Sequence, residues 1–220
     1  MNIVLLGKPG AGKGYISNYL QVNYGFTHIS TGELCRKNVK ENTEYAKIIE
    51  EYSQKGQLVP LNVILDMLKK ELSIPAPVGY IFDGFPRNVE QAQELDKIAS
   101  VDIVLFVDVS DEILLNRISK RRICPNCHKM FSTDETQNGK CLSCGTALIT
   151  RADDDLSVAK NRLVIYETET KPLIDYYANK LIVLDNSGSS EKTFSVLKEI
   201  TEKLLDKTGE NVWFVELKKT

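Results

Sequence analysis

The residues able to do chemistry fall into three groups: a glycine-and-lysine loop near the start, arginines spread along the chain, and two pairs of cysteines. Met1 to Tyr15 reads MNIVLLGKPGAGKGY, an apolar run at Ile3 to Leu6 followed by glycines at 7, 10, 12 and 14 and a helix-compatible segment. The spacing from Gly7 to Lys13 fits G-x-x-x-x-G-K, set between a strand and a helix as a phosphate loop requires. Glycines bring backbone N–H groups close to an anion, the helix adds its positive end, and Lys13 reaches the outer phosphates. A glycine-rich turn joining two core elements is the alternative. The pattern's Ser or Thr after the lysine is replaced by Gly14 and then Tyr15, so any magnesium ligand comes from elsewhere or the metal is held through water.

The cations that could meet a nucleotide are Lys13, Arg36, Arg87, Arg117, Arg121, Arg151 and Arg162. Phosphoryl transfer between nucleotides asks the protein to hold donor and acceptor in line and to spread positive charge over the moving oxygens. Arginine forks from separate segments suit that task, because they grip phosphates bidentately. Singly, each arginine reads equally well as a solvated or helix-pairing charge; the phosphate loop gives the set its meaning. No nucleophile with a matching base is apparent, and the two histidines, His28 and His128, suit surface or local structural roles. Cys124-x-x-Cys127 and Cys141-x-x-Cys144 have the spacing of a four-thiolate zinc site, structural because no coordination position stays open. Free surface thiols are the alternative. Cys35, alone in a polar helical stretch, reads as a packed or incidental thiol.

The elements that must position these groups alternate along 220 residues of near-average composition and net charge −2. That balance argues against a polyanion-binding or membrane-surface role. Without an apolar run of about eighteen residues or a cleavable leader pattern, the expectation is a cytoplasmic protein. A helix over 13–24 is followed by a strand at 26–29, a polar helical insertion over 33–55 broken near Asn42, and a helix over 62–72. A strand at 80–83 ends in Asp83-Gly84-Phe85-Pro86-Arg87, which puts an acid and a base on the rim where ligands bind in open parallel sheets. Then come a helix over 89–99, a strand over 101–109 and a helix over 111–122. The cysteine segment, a long helix over 156–168, a strand at 181–184 and a helix over 191–205 complete the pattern. Strand–helix alternation means α/β, a three-layer α/β/α core around a parallel sheet. The apolar stretch 211–217 could add an edge strand or meet a partner.

GKPGAGKG at 7–14, STGELCR at 30–36, GQLVP at 56–60, DGFPRN at 83–88, RRICPNC at 121–127, TRADDD at 150–155 and NRLVIYETETKPLIDYY at 161–177 together resemble the adenylate kinases. More narrowly they resemble the members whose long lid carries a structural zinc, and GFPR with RADD is highly specific to this family of nucleoside monophosphate kinases. The resemblance runs from Met1 to about Leu205. It implies reversible, magnesium-dependent phosphoryl transfer from ATP to AMP, giving two ADP. It implies a core of 1–29, 60–119 and 155–220, an AMP-binding insertion of 30–59 and a lid of 120–154. ATP would be held by Gly10, Ala11, Gly12, Lys13, Gly14 and Tyr15, by Arg117 and Arg121, and by Met130 and Phe131. AMP would be held by Thr31, Arg36, Gln57, Leu58, Val59, Gly84, Phe85, Pro86 and Arg87, with Gln91 reading its base. Arg151 and Arg162 would bridge both nucleotides, Asp83 would anchor the magnesium water shell, and Asp153 and Asp154 would orient the lid arginines. Zn2+ would sit on Cys124, Cys127, Cys141 and Cys144. Most relatives are monomers and need no nucleic acid or membrane partner.

Departures from the family pattern accompany the matches. Most relatives have Thr at position 15, thirteen residues between Cys127 and Cys141 make a short lid hairpin, His128 replaces a common glycine, and Leu61 replaces an acidic helix cap. A UMP/CMP kinase, a GTP:AMP phosphotransferase, and a non-catalytic nucleotide- or nucleic-acid-binding zinc protein are the rival readings.

Overall fold

The computed structural model describes residues 1–205 except 128, 137, 152, 153 and 155. Expectations for His128, Asp153 and the 211–217 stretch therefore fall outside the described residues. The elements run β1 (Ile3–Leu6), α1 (Lys13–Tyr24), β2 (Thr27–Ser30), α2 (Thr31–Lys40), α3 (Ala46–Gln54), α4 (Leu61–Leu72), β3 (Tyr80–Asp83), α5 (Val89–Ile98), β4 (Ile103–Asp108) and α6 (Asp111–Lys120). They continue with β5 (Arg121–Ile123), β6 (Met130–Ser132), α7 (Leu156–Ile165), a π-helical turn (Tyr166–Thr170), α8 (Leu173–Tyr176), β7 (Leu181–Asp185) and α9 (Ser190–Leu205).

The main sheet has five parallel strands in the order β2-β3-β1-β4-β7. The central strands β1 and β4 read as near-continuous apolar runs because both faces are covered by helices, whereas the edge strand β2 is Thr-His-Ile-Ser with only Ile29 buried. Alternation divides them: Val4 and Leu6 of β1 join one buried cluster with Phe82 and Leu95, while Ile3 and Leu5 join a second with Ile16 and Leu197. This is the three-layer α/β/α arrangement expected from the sequence.

Local chemistry sets the boundaries. Gly25, left-handed at φ 76°, ends α1 with its N–H on Gln21 O. Ser30 caps α2 by accepting from Glu33 N–H, and Asn88 caps α5 by accepting from Gln91 N–H. Leu61, in place of an acidic cap, packs against the core, and α4 starts after Pro60 with no side-chain cap. The insertion carries more core contact than its polar composition suggested, since Ala46 and Ile49 are buried and Leu34, Cys35 and Val39 pack on the central cluster.

Two boundaries differ from the sequence expectation. α6 stops at Lys120, and Arg121 to Ile123 form a strand paired antiparallel with Met130 to Ser132, so the periodicity of 111–122 covered a helix and the first lid strand. The helix expected over 156–168 changes at Tyr166 into a wider π turn. Among the described residues no helix is long and apolar enough to cross a membrane.

Leu95 of α5 is fully buried and lines neither of the two spaces described next. Leu95→Ala should cost about 2–4 kcal/mol of unfolding free energy in urea titration with an unchanged m-value; a loss below about 1 kcal/mol would show that this face is loosely packed.

Candidate active site

The site is built on the carboxyl rim of the sheet, where β1 leads into the glycine loop and β3 into Gly84 and Arg87. In the loop, Ala11 N–H bonds Lys8 O at 3.1 Å. Among the described residues the N–H groups of Gly12, Lys13 and Gly14 make no backbone hydrogen bond. These are the orphan donors of a helix start, gathered at its positive end. A side chain at Gly12, which sits at φ 95°, would be strained and would bring its Cβ 2.5 Å from Asn186 Nδ2, while one on Gly14 would have to displace the end of the Met130 side chain, 2.6 Å away. Ala11 is buried behind the loop and does not line the cavity.

Lys13 Nζ donates to Gly7 O at 2.7 Å and Lys8 O at 3.1 Å. Burial lowers its pKa to about 8, Asp83 opposing the shift and Arg87, Arg162 and Arg121 adding to it. Asp83 faces His28, whose Nε2 lies 3.5 Å from Oδ2. Burial would raise the Asp83 pKa, but the neighbouring His28 imidazole and the Lys13 and Arg87 charges outweigh it and hold the carboxylate below its usual range. His28 is thus a largely buried neighbour of a site acid, the local structural role and not the surface one of the two its sequence suggested.

Beside this lies a cavity of about 520 Å3 whose walls include Thr31, Arg36, Gln57, Leu58, Val59, Gly84, Phe85, Arg87, Gln91, Arg151 and Arg162. Thr31 Oγ1 donates to Gly84 O at 2.8 Å, and Arg87 Nε donates to the same carbonyl at 2.7 Å. Gln91 Oε1 accepts from Arg87 N–H at 2.8 Å, and Thr170 Oγ1 of the π turn donates to Arg87 O at 2.7 Å. A larger cleft of about 910 Å3 contains Gly10, Gly12, Lys13, Gly14, Tyr15, Asp83, Arg117, Arg121, Met130 and Phe131. Pro86 lines this cleft instead of the smaller cavity, and Arg36, Gly84, Arg87, Arg151 and Arg162 line both. The two spaces therefore meet at a cluster of arginines.

Asp154 organises that cluster from behind. Its buried carboxylate accepts from Arg121 Nε at 2.8 Å and from Arg121 Nη2, and it lies 3.9 Å from Arg162 Nη1. Arg151 reaches Met130 Sδ at 3.9 Å. Arg117 donates to Asn186 O at 2.8 Å and Ala11 O at 3.5 Å, bound to the loop's outer side. Tyr15 is 54% exposed; its ring stacks on Phe194 at 5.2 Å, and Phe194 stacks on Tyr19 at 4.4 Å. Its backbone N–H bonds Gly12 O at 2.9 Å, closing the first turn of α1.

The four lid cysteines pass the test for a metal. Their sulfurs lie within 4.8 Å of one another, with Cys124–Cys144 at 3.4 Å, Cys127–Cys141 at 3.5 Å and Cys127–Cys144 at 3.8 Å. A tetrahedral ion with ~2.3 Å bonds to sulfur needs edges of about 3.8 Å, whereas a disulfide needs ~2.05 Å. The group could hold zinc.

Sequence reasoning passed over His28, Thr170 and Asn186 as site components. Asn186 directly follows β7, and the rule that ligands gather at carboxyl ends of parallel strands would have pointed to it.

Fold and site define a phosphate-loop nucleotide-binding enzyme whose two nucleotide-sized spaces join at arginines, the arrangement of a nucleoside monophosphate kinase. The adenylate kinase family profile matches residues 5–182. An adenylate kinase of Clostridium perfringens (strain SM101 / Type A) is 42% identical over 212 residues, covering 91% of this chain and 98% of the relative. One of Caldicellulosiruptor bescii is 41% identical, covering 91% and 99%, and one of Caldanaerobacter subterraneus subsp. tengcongensis 42%, covering 90% and 95%. The chain belongs to the adenylate kinase family.

Because Lys13 has a folded pKa near 8 against 10.5 unfolded, the unfolded chain binds more protons between those values, so this group's contribution makes stability rise with pH across that window. Lys13→Met should therefore stabilise the ligand-free protein on the order of 1–3 kcal/mol at pH 7 and progressively less towards pH 10.5. A pH-independent difference in denaturant titrations would show that the ammonium is not desolvated.

Proposed function

We propose that this chain catalyses magnesium-dependent phosphoryl exchange, ATP plus AMP to two ADP, with AMP in the smaller cavity and ATP in the larger cleft. The observation that carries this reading is the pair of joined spaces sharing Arg36, Arg87, Arg151 and Arg162 at their junction. Tail to tail, two nucleotides put their phosphates at that junction, and no covalent intermediate is needed.

In this reading the Gly12, Lys13 and Gly14 N–H groups seat the ATP phosphates, and the Lys13 ammonium exchanges its carbonyl partners for phosphate oxygens. Arg117 flanks the donor base, with Met130 and Phe131 over it. Arg36 and Arg87 grip the AMP phosphate. Gln91 has its Oε1 occupied by the Arg87 N–H, so its amide offers Nε2 as a donor, which suits an acceptor nitrogen of adenine. Arg121 and Arg162, backed by Asp154, and Arg151 spread charge over the phosphoryl group in transit. Magnesium bound with ATP neutralises charge on the outer phosphates; Asp83, kept ionised and turned towards Lys13, would hold its water shell. Residues 30–59 and 120–154 act as flaps that exclude water and so protect ATP from hydrolysis. Zinc on Cys124, Cys127, Cys141 and Cys144 would staple a lid too small for a core of its own. A monomeric, cytoplasmic enzyme with no nucleic-acid or membrane partner completes the reading.

Incubation with ATP, AMP and magnesium should yield ADP, with UMP a poor acceptor, and Arg87→Ala should raise the KM for AMP by roughly 10²-fold while leaving that for ATP within about threefold. Equal rates with UMP would overturn the adenine assignment. Elemental analysis should find about one zinc per chain, and its chelation should lower the melting temperature and raise the KM for ATP. Zinc-free protein with four titratable lid thiols and full activity would remove the staple.

A further inference from the structure

The geometry points to Asn186 as a positioning residue for the donor phosphates, acting through the outer side of the phosphate loop. The inference rests on the reading of that loop as the ATP seat. Asn186 Nδ2 donates to Ala11 O at 2.7 Å, and its Oδ1 accepts from Thr193 Oγ1 at 3.0 Å. The orientation of the amide is fixed by its neighbours, because a carbonyl can only accept and must face the NH2 end. Its backbone is held as well: Asn186 N–H bonds Asp108 O at 2.9 Å, and Asn186 O accepts from Arg117 Nη2 at 2.8 Å. One residue thus joins the ends of β4 and β7, the first turn of α9, the loop and Arg117.

The consequence follows from peptide geometry. The Ala11–Gly12 peptide is planar and trans, so its C=O and N–H point in opposite directions. Gripping the Ala11 carbonyl from outside aims the Gly12 N–H to the cleft side, where it makes no backbone hydrogen bond. Gly12 lets the amide come this close, since a Cβ there would meet Nδ2 at 2.5 Å. Without the Asn186 side chain only the longer 3.5 Å hydrogen bond from Arg117 Nη1 restrains the Ala11 carbonyl, so the peptide is held less firmly and the donor phosphates lose a preset N–H before the reaction starts. Asn186 does not line the smaller cavity, so the effect should be confined to ATP.

The test uses the full chain and two readouts, ATP affinity by calorimetry and the separate KM values for ATP and AMP. Asn186→Ala should weaken ATP binding about tenfold, the size of one lost hydrogen bond, with the KM for AMP within about twofold. Asn186→Asp, which sets a carboxylate oxygen against the Ala11 carbonyl, should be at least as damaging. Thr193→Val, which frees the amide to turn, should weaken ATP several-fold, while Thr193→Ser should stay within about twofold and so separate the hydroxyl from the fold. ATP affinity unchanged in both Asn186→Ala and Thr193→Val, or ATP and AMP constants that move together, would overturn the inference. Lys13→Met distinguishes the two levels: unaltered ATP binding in that variant would sink the reading of the loop itself.

Discussion

Mutual repulsion of positive charges is the constraint around which this molecule is built. Lys13 lies within the fields of Arg87, Arg162 and Arg121, and burial lowers its pKa to about 8. Two cations about 6 Å apart repel by ~3 kcal/mol at an effective dielectric of 20, and several such pairs would spread the cleft apart unless countered. Among the described residues, two acids counter them. Asp154 holds Arg121 and stands near Arg162; Asp83, beside His28, exerts an opposing charge on Lys13. Arg36, Arg87, Arg151 and Arg162, delivered from separate segments, thus line both spaces at one junction.

The sheet supplies the rigid part of this balance. Parallel strands covered on both faces send their carboxyl ends to one rim, so the loop after β1, the Gly84–Arg87 turn after β3 and Asn186 after β7 converge without long excursions. Among the described residues of 120–154 none belongs to either buried apolar cluster: β5 and β6 are three residues each, and the cysteine sulfurs stand at metal-binding spacing.

Most of the architecture was legible because β1, β3, β4 and β7 are short, largely apolar runs and because the glycine loop is a spaced motif. The chemistry of the rim was legible where residue type alone declares it, as for Lys13, Asp83 and the arginines. What stayed hidden depends on pairing across the chain. His28 reads as an ordinary histidine until β2 is set beside β3 and Asp83. Asn186 and Thr170 hold backbone carbonyls far away in sequence, and no local pattern announces such bonds. The Arg121 boundary was misplaced because the first two residues of the lid strand, Arg121 and Arg122, continue the charged end of the helix without a breaker. Tyr15, an apparent defect in the motif, finds its place on Phe194, so its ring is accommodated by α9 and not by the loop.

The most direct measurement of the central claim is the stoichiometry and competition of a probe with two adenosines joined by five phosphates, titrated calorimetrically into the protein with magnesium. Simultaneous occupation of two joined sites predicts one equivalent bound, far more tightly than ATP, and displacement of both ATP and AMP. Two equivalents per chain, or displacement of one nucleotide alone, would contradict a shared phosphate junction.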